Sequence, residues 1–505
     1  MSYPVTKHFK NANSFLKLLK TKKESFWLSR GEKHTLKLFK EVYKNVPAYR
    51  KLLKINKINC DSIKTIKDFK NLPAIDKKNY LQKNDFHDLV PGGNLSKGNW
   101  NISATSGSTG EPFYFPRTSH QDLYYALTAE FYLLTNFDID KKSTLYINCF
   151  ALGVWIGGLF TYQAIKHIQE KNKYDLALIN PGVNKEEALK VLKRLSPHYD
   201  QIIIGGYPPF IKDFVDYTNA KKFNWGKISA KFIFSGEAFS EDFRSYIAKG
   251  AKLKNIYKDT LSHYGTVDIG TKAYETPISI LIRRLALKNK KFLNKLFGEH
   301  NRLPTLAQYI PEQFYFEEKN GALLCTSESG LPLIKYDLKD AGGVIGFGDM
   351  LKMARESGIN LRQEIKKTRL SNTVWELPFV YIFERMDSVV SLYGANIYPE
   401  NIRKVLISNT FKKYFSGRFS MQITFTKKQD QGFLVHIELQ KNVAKNTALK
   451  TRVEKAIFEE LKKVNSEYYN NFKAFGRKVY PKVMLWKYED QKYFKRAGKH
   501  KWVVK

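Results

Sequence analysis

Residues 201–235, QIIIGGYPPFIKDFVDYTNAKKFNWGKISAKFIFS, decide the fold. Two short apolar runs, Gln201 to Ile204 and Lys231 to Ser235, flank a segment, Ile211 to Asn219, that reads as a helix. A strand, a helix and a strand in this order need a crossover, so the strands run parallel and are covered on both faces. Upstream the pattern repeats, with strand-like Thr144 to Phe150 and Leu176 to Asn180 and helix-like Lys185 to Leu195. Downstream comes a basic helical segment over residues 279–302, SILIRRLALKNKKFLNKLFGEHNR. Strand-like runs follow at Gln313 to Glu318, Leu323 to Thr326 and Val380 to Phe383.

The two ends read differently. Near the N-terminus Leu36, Phe39, Val42 and Tyr43 recur at helical spacing, and Asn45-Val46-Pro47 stops that helix, because a residue before proline disfavours the helical region. From Pro399 to Lys505 the order is helix, strand, strand, helix, strand. Gln422 to Thr426 and Phe433 to Gln440 alternate, and Thr451 to Lys463 forms an amphipathic helix. The fold class is α/β, with a large domain over residues 1–386 and a small α+β domain over 387–505.

Composition narrows the class. A chain of 505 residues with 43% hydrophobic and 14% aromatic residues is neither disordered nor low-complexity. Three scattered cysteines, Cys60, Cys149 and Cys325, make no disulfide framework or zinc ribbon and fit a reducing compartment, the cytoplasm. With 85 basic and 48 acidic residues the net charge is +37, which favours polyanions: a nucleotide, a nucleic acid or, peripherally, a membrane surface. The most apolar stretch, Leu145 to Ala164, holds Asn148 and three glycines; it reads as a buried strand, loop and helix rather than a membrane span. The basic N-terminal residues are interleaved with leucines and are not followed by a signal-peptide core.

The strongest local feature is Thr105-Ser106-Gly107-Ser108-Thr109-Gly110-Glu111-Pro112. Glycines allow positive φ and close backbone approach, and successive N–H groups with hydroxyls can cradle a polyphosphate. No Gly-Lys-Ser/Thr follows, so this is not a Walker A loop. The alternative is a flexible linker, which would not need the ordered spacing.

With this loop the chain resembles the adenylate-forming superfamily of acyl-CoA synthetases, luciferase and peptide-synthetase adenylation domains. Within it the likeness is to the phenylacetate–CoA ligase branch and its CapK and coenzyme F390 synthetase-like relatives. FKEVYKNVPAYRKL over residues 39–52 and DFKNLPAIDKKNY over 68–80 look like the first segments of that branch. The resemblance covers nearly the whole chain and implies a large nucleotide-binding domain with mixed or parallel sheets, and a small mobile lid.

The resemblance also implies roles. Thr105, Ser106, Gly107, Ser108, Thr109 and Gly110 would hold phosphates. Ser235-Gly236-Glu237, ending an apolar strand, would lie against the adenine, unless it is a plain strand-to-helix turn. His263-Tyr264-Gly265-Thr266-Val267-Asp268 resembles the motif Tyr-Gly-x-Ser/Thr-Glu, in which the ring stacks near adenine, the hydroxyl meets the α-phosphate and the carboxylate helps to hold Mg²⁺. Val267 stands where that hydroxyl is expected, with Thr266 beside it, and Asp268 replaces glutamate or is a surface carboxylate. In Pro332-Leu333-Ile334-Lys335-Tyr336-Asp337-Leu338-Lys339-Asp340, Asp340 would accept from both ribose hydroxyls, with Asp337 as the competing carboxylate.

Glu384-Arg385-Met386-Asp387 and Gly394-Ala395-Asn396-Ile397-Tyr398-Pro399 resemble the hinge motif. Arg385 would reach ribose or phosphate, and Asp387 would be the pivot, or the two would form a local ion pair. Lys499, after Gly498, matches the mobile lysine that neutralises charge on the α-phosphate, with Lys495 as its neighbour. Trp155 and Tyr207 are candidates for the acyl pocket. The expected reaction is activation of a carboxylic acid by ATP and Mg²⁺ to an acyl-adenylate, with pyrophosphate leaving and the acyl group passing to CoA. The alternative acceptor is a sugar or carrier protein, as for CapK-like enzymes of surface polysaccharide synthesis. A basic nucleic-acid-binding protein is a third reading, and no RRM, KH, zinc-finger or helix-turn-helix pattern supports it. Neither a Ser-His-Asp triad nor a zinc site is suggested by the histidines and cysteines.

Overall fold

The computed structural model describes residues 4–105, 113–153, 156–298, 303–385, 389–494 and 503. The chain forms two compact units. The larger takes Met1–Ser103, Phe115–Gly206 and Tyr217–Glu384; the smaller takes Ala104–Tyr114, Tyr207–Asp216 and Arg385–Lys505.

Strands β1 (Asn101–Ala104) and β2 (Tyr114–Arg117) pair as a ribbon. The larger unit is built on β3 (Thr144–Asn148), β4 (Leu176–Ile179), β5 (Gln201–Gly206), β6 (Ala230–Ser235), β7 (Thr260–Thr266) and β8 (Gly270–Tyr274). The same sheet continues with β9 (Thr305–Gln308), β10 (Phe314–Lys319), β11 (Ala322–Ser327), β12 (Leu333–Ile345) and β13 (Phe379–Arg385). The order is β10-β11-β12-β13-β9-β8-β7-β6-β5-β3-β4. From β4 to β7 every pair is parallel, as the strand-helix alternation predicts. At β7 the sheet changes character: β7, β8, β9 and β13 pair antiparallel, as do β10, β11 and β12. Tight connections join β7 to β8, β10 to β11 and β11 to β12, so these strands follow one another without an intervening helix.

One face of the parallel half, with Tyr146, Ile203, Ile233 and Leu261, packs against the Ser119–Phe137 and Ile156–Gln169 helices. The Val5–Lys10 and Ala12–Thr21 helices add Val5, Phe9, Phe15 and Leu19 to this core, so the lysine-rich N-terminus docks by its apolar stripe. The stretch Leu145 to Ala164 divides between β3 and the Ile156–Gln169 helix, and among the described residues no helix is long and apolar enough to cross a membrane. The basic 279–302 segment gives two helices, Pro277–Lys288 and Lys290–Phe297, whose Ile278, Leu281, Ile282 and Phe292 form a second core with Leu306 and Phe379.

Not all of that segment's charge faces water. Arg283 is buried and pairs with Glu241 at 2.9 Å and Glu275 at 2.8 Å, while buried Arg244 reaches the same two carboxylates. Buried charges persist only when paired and hydrogen-bonded, and here two guanidinium groups share two carboxylates.

In the smaller unit β14 (Val390–Leu392) pairs with β15 (Ala395–Ile397). Strands β16 (Phe415–Phe425) and β17 (Gln431–Leu439) are antiparallel, and β18 (Lys482–Trp486) adds parallel to β17. The expected order helix, strand, strand, helix, strand is present with one addition. After the Thr447–Val464 helix, Asn465 caps a further helix, Ser466–Phe475, by accepting the Tyr468 N–H at 3.0 Å.

Candidate active site

The most irregular strand carries the most polar constellation. Between Ala322 and Leu324 on β11, β12 advances from Ala341 to Asp337; between Cys325 and Ser327 it advances from Tyr336 to Leu333. Each shift places extra residues on β12, and each contains a lysine in the left-handed region, Lys339 (φ 58°) and Lys335 (φ 52°). Bulges of this kind bend a strand and re-aim its side chains. Lys335 is held by its ion pair with Glu317 at 2.5 Å, and Lys339 by Asp76 and Asp337, each at 2.7 Å. Asp337 also accepts the Lys339 N–H at 2.8 Å, so this carboxylate fastens the bulge.

Between the two lysines β12 presents Tyr336, and just beyond them Asp340; both side chains reach the hairpin of β7 and β8. Tyr264 on β7 donates its hydroxyl to Asp340 at 2.5 Å. Tyr336 on β12 donates to Asp268, in the β7–β8 turn, at 2.6 Å. The two strands thus exchange Tyr–Asp hydrogen bonds in opposite directions, each of the short charge-assisted kind. The structure brings Tyr264, Asp268 and Asp340 together, three residues chosen from motifs far apart in sequence. The resemblance gives no role to Tyr336, although it lies within the Pro332 to Asp340 motif.

Neighbouring groups complete the hairpin. Gly265 pairs with Thr271, and a Cβ there would fall 2.8 Å from the Gly270 carbonyl oxygen, so a side chain would push the two strands apart. The Thr266 hydroxyl is buried and makes no hydrogen bond. Lys272 on β8 lays its ammonium 4.4 Å from the centre of the Tyr264 ring, a cation–π contact with no sequence signal. At the end of β6, Ser235 is paired with His263, and Gly236 takes φ 92°, a conformation suited to glycine. Glu237 follows immediately.

His263 points the other way. Successive strand residues alternate faces, so its imidazole lies opposite the Tyr264 ring and packs against Tyr125 and Tyr132 of the helical layer. Burial holds its pKa down at about 3, so the ring is neutral.

The phosphate-loop candidates are described only at their neck. Thr105 donates its N–H to the Phe113 carbonyl at 2.9 Å and accepts the Phe113 N–H on its hydroxyl at 2.8 Å. Ser106, Gly107, Ser108, Thr109 and Gly110 lie outside the described residues, as do Trp155, Asp387 and Lys499. Arg385 is the last residue of β13. Tyr207 belongs to the smaller unit and donates to Asn471 at 3.1 Å.

Asp268 fits a magnesium ion that arrives with phosphate. Mg²⁺ favours one or two carboxylates with phosphate oxygens and water, and Tyr336 engages one of the two Asp268 oxygens. Among the described residues no group of three His, Cys, Asp or Glu side chains could hold a metal unaided.

No family model matches the sequence, and no curated protein matches it. Solved structures do. A 2-hydroxyisobutyryl-CoA ligase in complex with 2-HIB-AMP and CoA, in the thioesterification state, superposes with a TM-score of 0.64 at 15% identity. The match covers 95% of this chain and 89% of that one. An open conformation of the same ligase gives 0.52 at 14% identity, covering 95% and 91%. The chain therefore has the adenylate-forming fold: a large mixed α/β sheet flanked by helices, with a separate small sheet domain.

Proposed function

We propose that the protein is an ATP-dependent adenylate-forming ligase of the phenylacetate–CoA ligase and CapK-like branch. The observation that carries this reading is the crossed pair Tyr264–Asp340 and Tyr336–Asp268. It gathers, beside the last parallel strand, the residues that the resemblance gives to adenine, ribose and metal, where ligands of parallel sheets bind. The buried, unbonded Thr266 hydroxyl beside them supports a phosphate contact one position earlier than the motif has it.

In this reading Tyr264 stacks on adenine with Ser235, Gly236 and Glu237 behind it. Asp340 accepts from the two ribose hydroxyls, which takes over the place of the Tyr264 hydroxyl on one of its oxygens. The loop Thr105 to Gly110 and Thr266 hold phosphate oxygens, and Asp268 would hold Mg²⁺, which would offset the negative charge of the phosphates. Arg385 reaches ribose or phosphate.

A carboxylate oxygen of the acid attacks the α-phosphorus, the bond to the β-phosphate bridging oxygen breaks, and pyrophosphate leaves. Lys499 neutralises the charge that develops, and positioning supplies most of the rate. Rotation at Asp387 of a small domain over residues 387–505 then exposes the acyl-adenylate to CoA in the cytoplasm. The test is product analysis: acid-dependent release of AMP and pyrophosphate supports the reading, and ADP with inorganic phosphate contradicts it. Stimulation of turnover by CoA assigns the acceptor; its absence favours a sugar or carrier protein.

A further inference from the structure

The lysine-rich N-terminal segment forms an ordered surface that the nucleotide site does not use. From Met1 to Lys23 the sequence holds six lysines and no acidic residue; Glu24 is the first. A charge run of this kind is ordinarily a solvated tail. Here it is folded. The Val5–Lys10 and Ala12–Thr21 helices both pack on the Ser119–Phe137 helix and bury Val5, Phe9, Ala12, Phe15, Leu16 and Leu19. Phe15 stacks on Phe131 of that helix at 5.3 Å. Lys7, Lys10, Lys17 and Lys20 take the positions away from this core and are exposed. Among the described residues none of the four pairs with a carboxylate.

Beside these helices lies a recess of about 380 Å³, with Phe9 and Leu123 in its lining and Lys10, Lys171 and Lys173 around them. Lys171 is engaged by the fold: its ammonium pairs with buried Glu130 and the Phe9 carbonyl and lies 3.7 Å from the centre of the Phe9 ring. Lys10 and Lys173 are exposed and make no such pair among the described residues. The one acid in the lining, Glu170, lies 3.2 Å from the His167 ring nitrogen. The recess therefore sets apolar surface between two cations available to an anion. It lies at the far end of the sheet from the nucleotide site. The Ile156–Gln169 helix starts beside the end of β3, where Asn148 donates to the Gly158 carbonyl at 3.0 Å. Its other end, about 21 Å away, carries His167 and Gln169 next to the start of β4. Parallel strands bind ligands beyond their carboxyl ends, so this recess is outside the candidate active site.

We propose that this face docks on an anionic membrane surface, with Lys7, Lys10, Lys17 and Lys20 over the lipid phosphates and a phospholipid headgroup in the recess between Lys10 and Lys173. Charge complementarity carries the proposal: a compact, acid-free set of lysines held on folded helices meets a surface of negative potential. The recess favours lipid over nucleic acid. A face for single-stranded nucleic acid would offer aromatic rings for stacking, whereas Phe9 and Phe15 are buried in the core. A phospholipid brings glycerol and acyl carbons to Phe9 and Leu123 together with a phosphate for the lysines. Among the described residues no helix is long and apolar enough to cross a membrane, so the contact is peripheral and falls with salt. The inference stands apart from the adenylation reading, since it uses none of that site's residues.

The experiment is co-sedimentation of the full chain with vesicles of phosphatidylcholine alone and of phosphatidylcholine with about 30% phosphatidylglycerol, at about 0.1 M salt. Binding to the anionic vesicles only, lost at about 0.5 M salt, is the expected result. Lys7→Gln, Lys10→Gln, Lys17→Gln and Lys20→Gln together should weaken it by about 100-fold, and Lys173→Gln alone by about 5-fold. The same number of neutralisations on exposed lysines of the smaller unit, Lys427→Gln, Lys428→Gln, Lys441→Gln and Lys482→Gln, should cost less than about 3-fold. The lipid and salt dependence of the wild type is read whether or not a variant folds. No binding to anionic vesicles, equal binding to uncharged ones, or equal loss in the two quadruple variants overturns the inference. So does tighter binding of duplex DNA or of RNA through the same N-terminal lysines, which assigns the face to nucleic acid.

Discussion

Strands β5 and β12 belong to one sheet and are built on opposite plans. β5 pairs in unbroken register with β3 and β6, is buried along its whole length and, after Gln201, is apolar up to Gly205 and Gly206. β12 is long and twice bulged, with two left-handed lysines anchored by carboxylates. A strand that only has to fill a core can be a short apolar run. A strand that has to aim Tyr336 and Asp340 at a neighbouring hairpin gives up regular register and needs buried charge to hold the bend. The difference separates a strand that fills the core from one that carries the polar pairs proposed for the nucleotide.

The largest expected effect strikes the bulge. Lys335→Met leaves Glu317 without its cation in a buried setting and should lower unfolding free energy by about 3–5 kcal/mol in urea titrations. Asp340→Ala should spare stability more but raise the KM for ATP by roughly 10- to 100-fold, since it removes a charged acceptor from the crossed pairs. Equal KM values for variant and wild type would detach β12 from nucleotide binding.

A third effect concerns pH. His263 is held neutral in the folded chain to about pH 3, whereas the unfolded chain protonates it near its ordinary value of about 6.5. The unfolded state therefore binds more protons as pH falls through that window, and stability is lost on acidification. His263→Gln should reduce the slope of stability against pH by up to about 1.4 kcal/mol per unit between those limits. The smallest effect lies on the regular strand β5: Ile203→Val should cost about 0.5–1.5 kcal/mol and leave the KM for ATP alone.

The same contrast explains what was readable. β3, β5 and β6 announce themselves because apolar runs and intervening helices have distinct periods, and their ends predicted the Ser235-Gly236-Glu237 turn. β12 reads as a polar motif in which Lys335, Asp337 and Lys339 alternate with Ile334, Tyr336 and Leu338, and its two bulges leave no mark in that pattern. Asp340, Tyr264 and Asp268 were chosen from ordered motifs, but nothing in their spacing says that Tyr336 would bond Asp268. The position of Lys272 over the Tyr264 ring depends on a hairpin register that the sequence does not display. The 279–302 segment reads only as basic and helical, since burial of Arg283 depends on Glu241 and Glu275, which other elements supply.

The central claim is that the crossed Tyr–Asp pairs between β7 and β12 form a nucleotide site. Crystals grown with ATP and Mg²⁺ test it most directly. The account predicts both ribose hydroxyls within hydrogen-bond distance of Asp340, adenine on the Tyr264 ring and the metal on an Asp268 oxygen. Nucleotide bound elsewhere, with Tyr264–Asp340 and Tyr336–Asp268 undisturbed and solvent beside them, would contradict it.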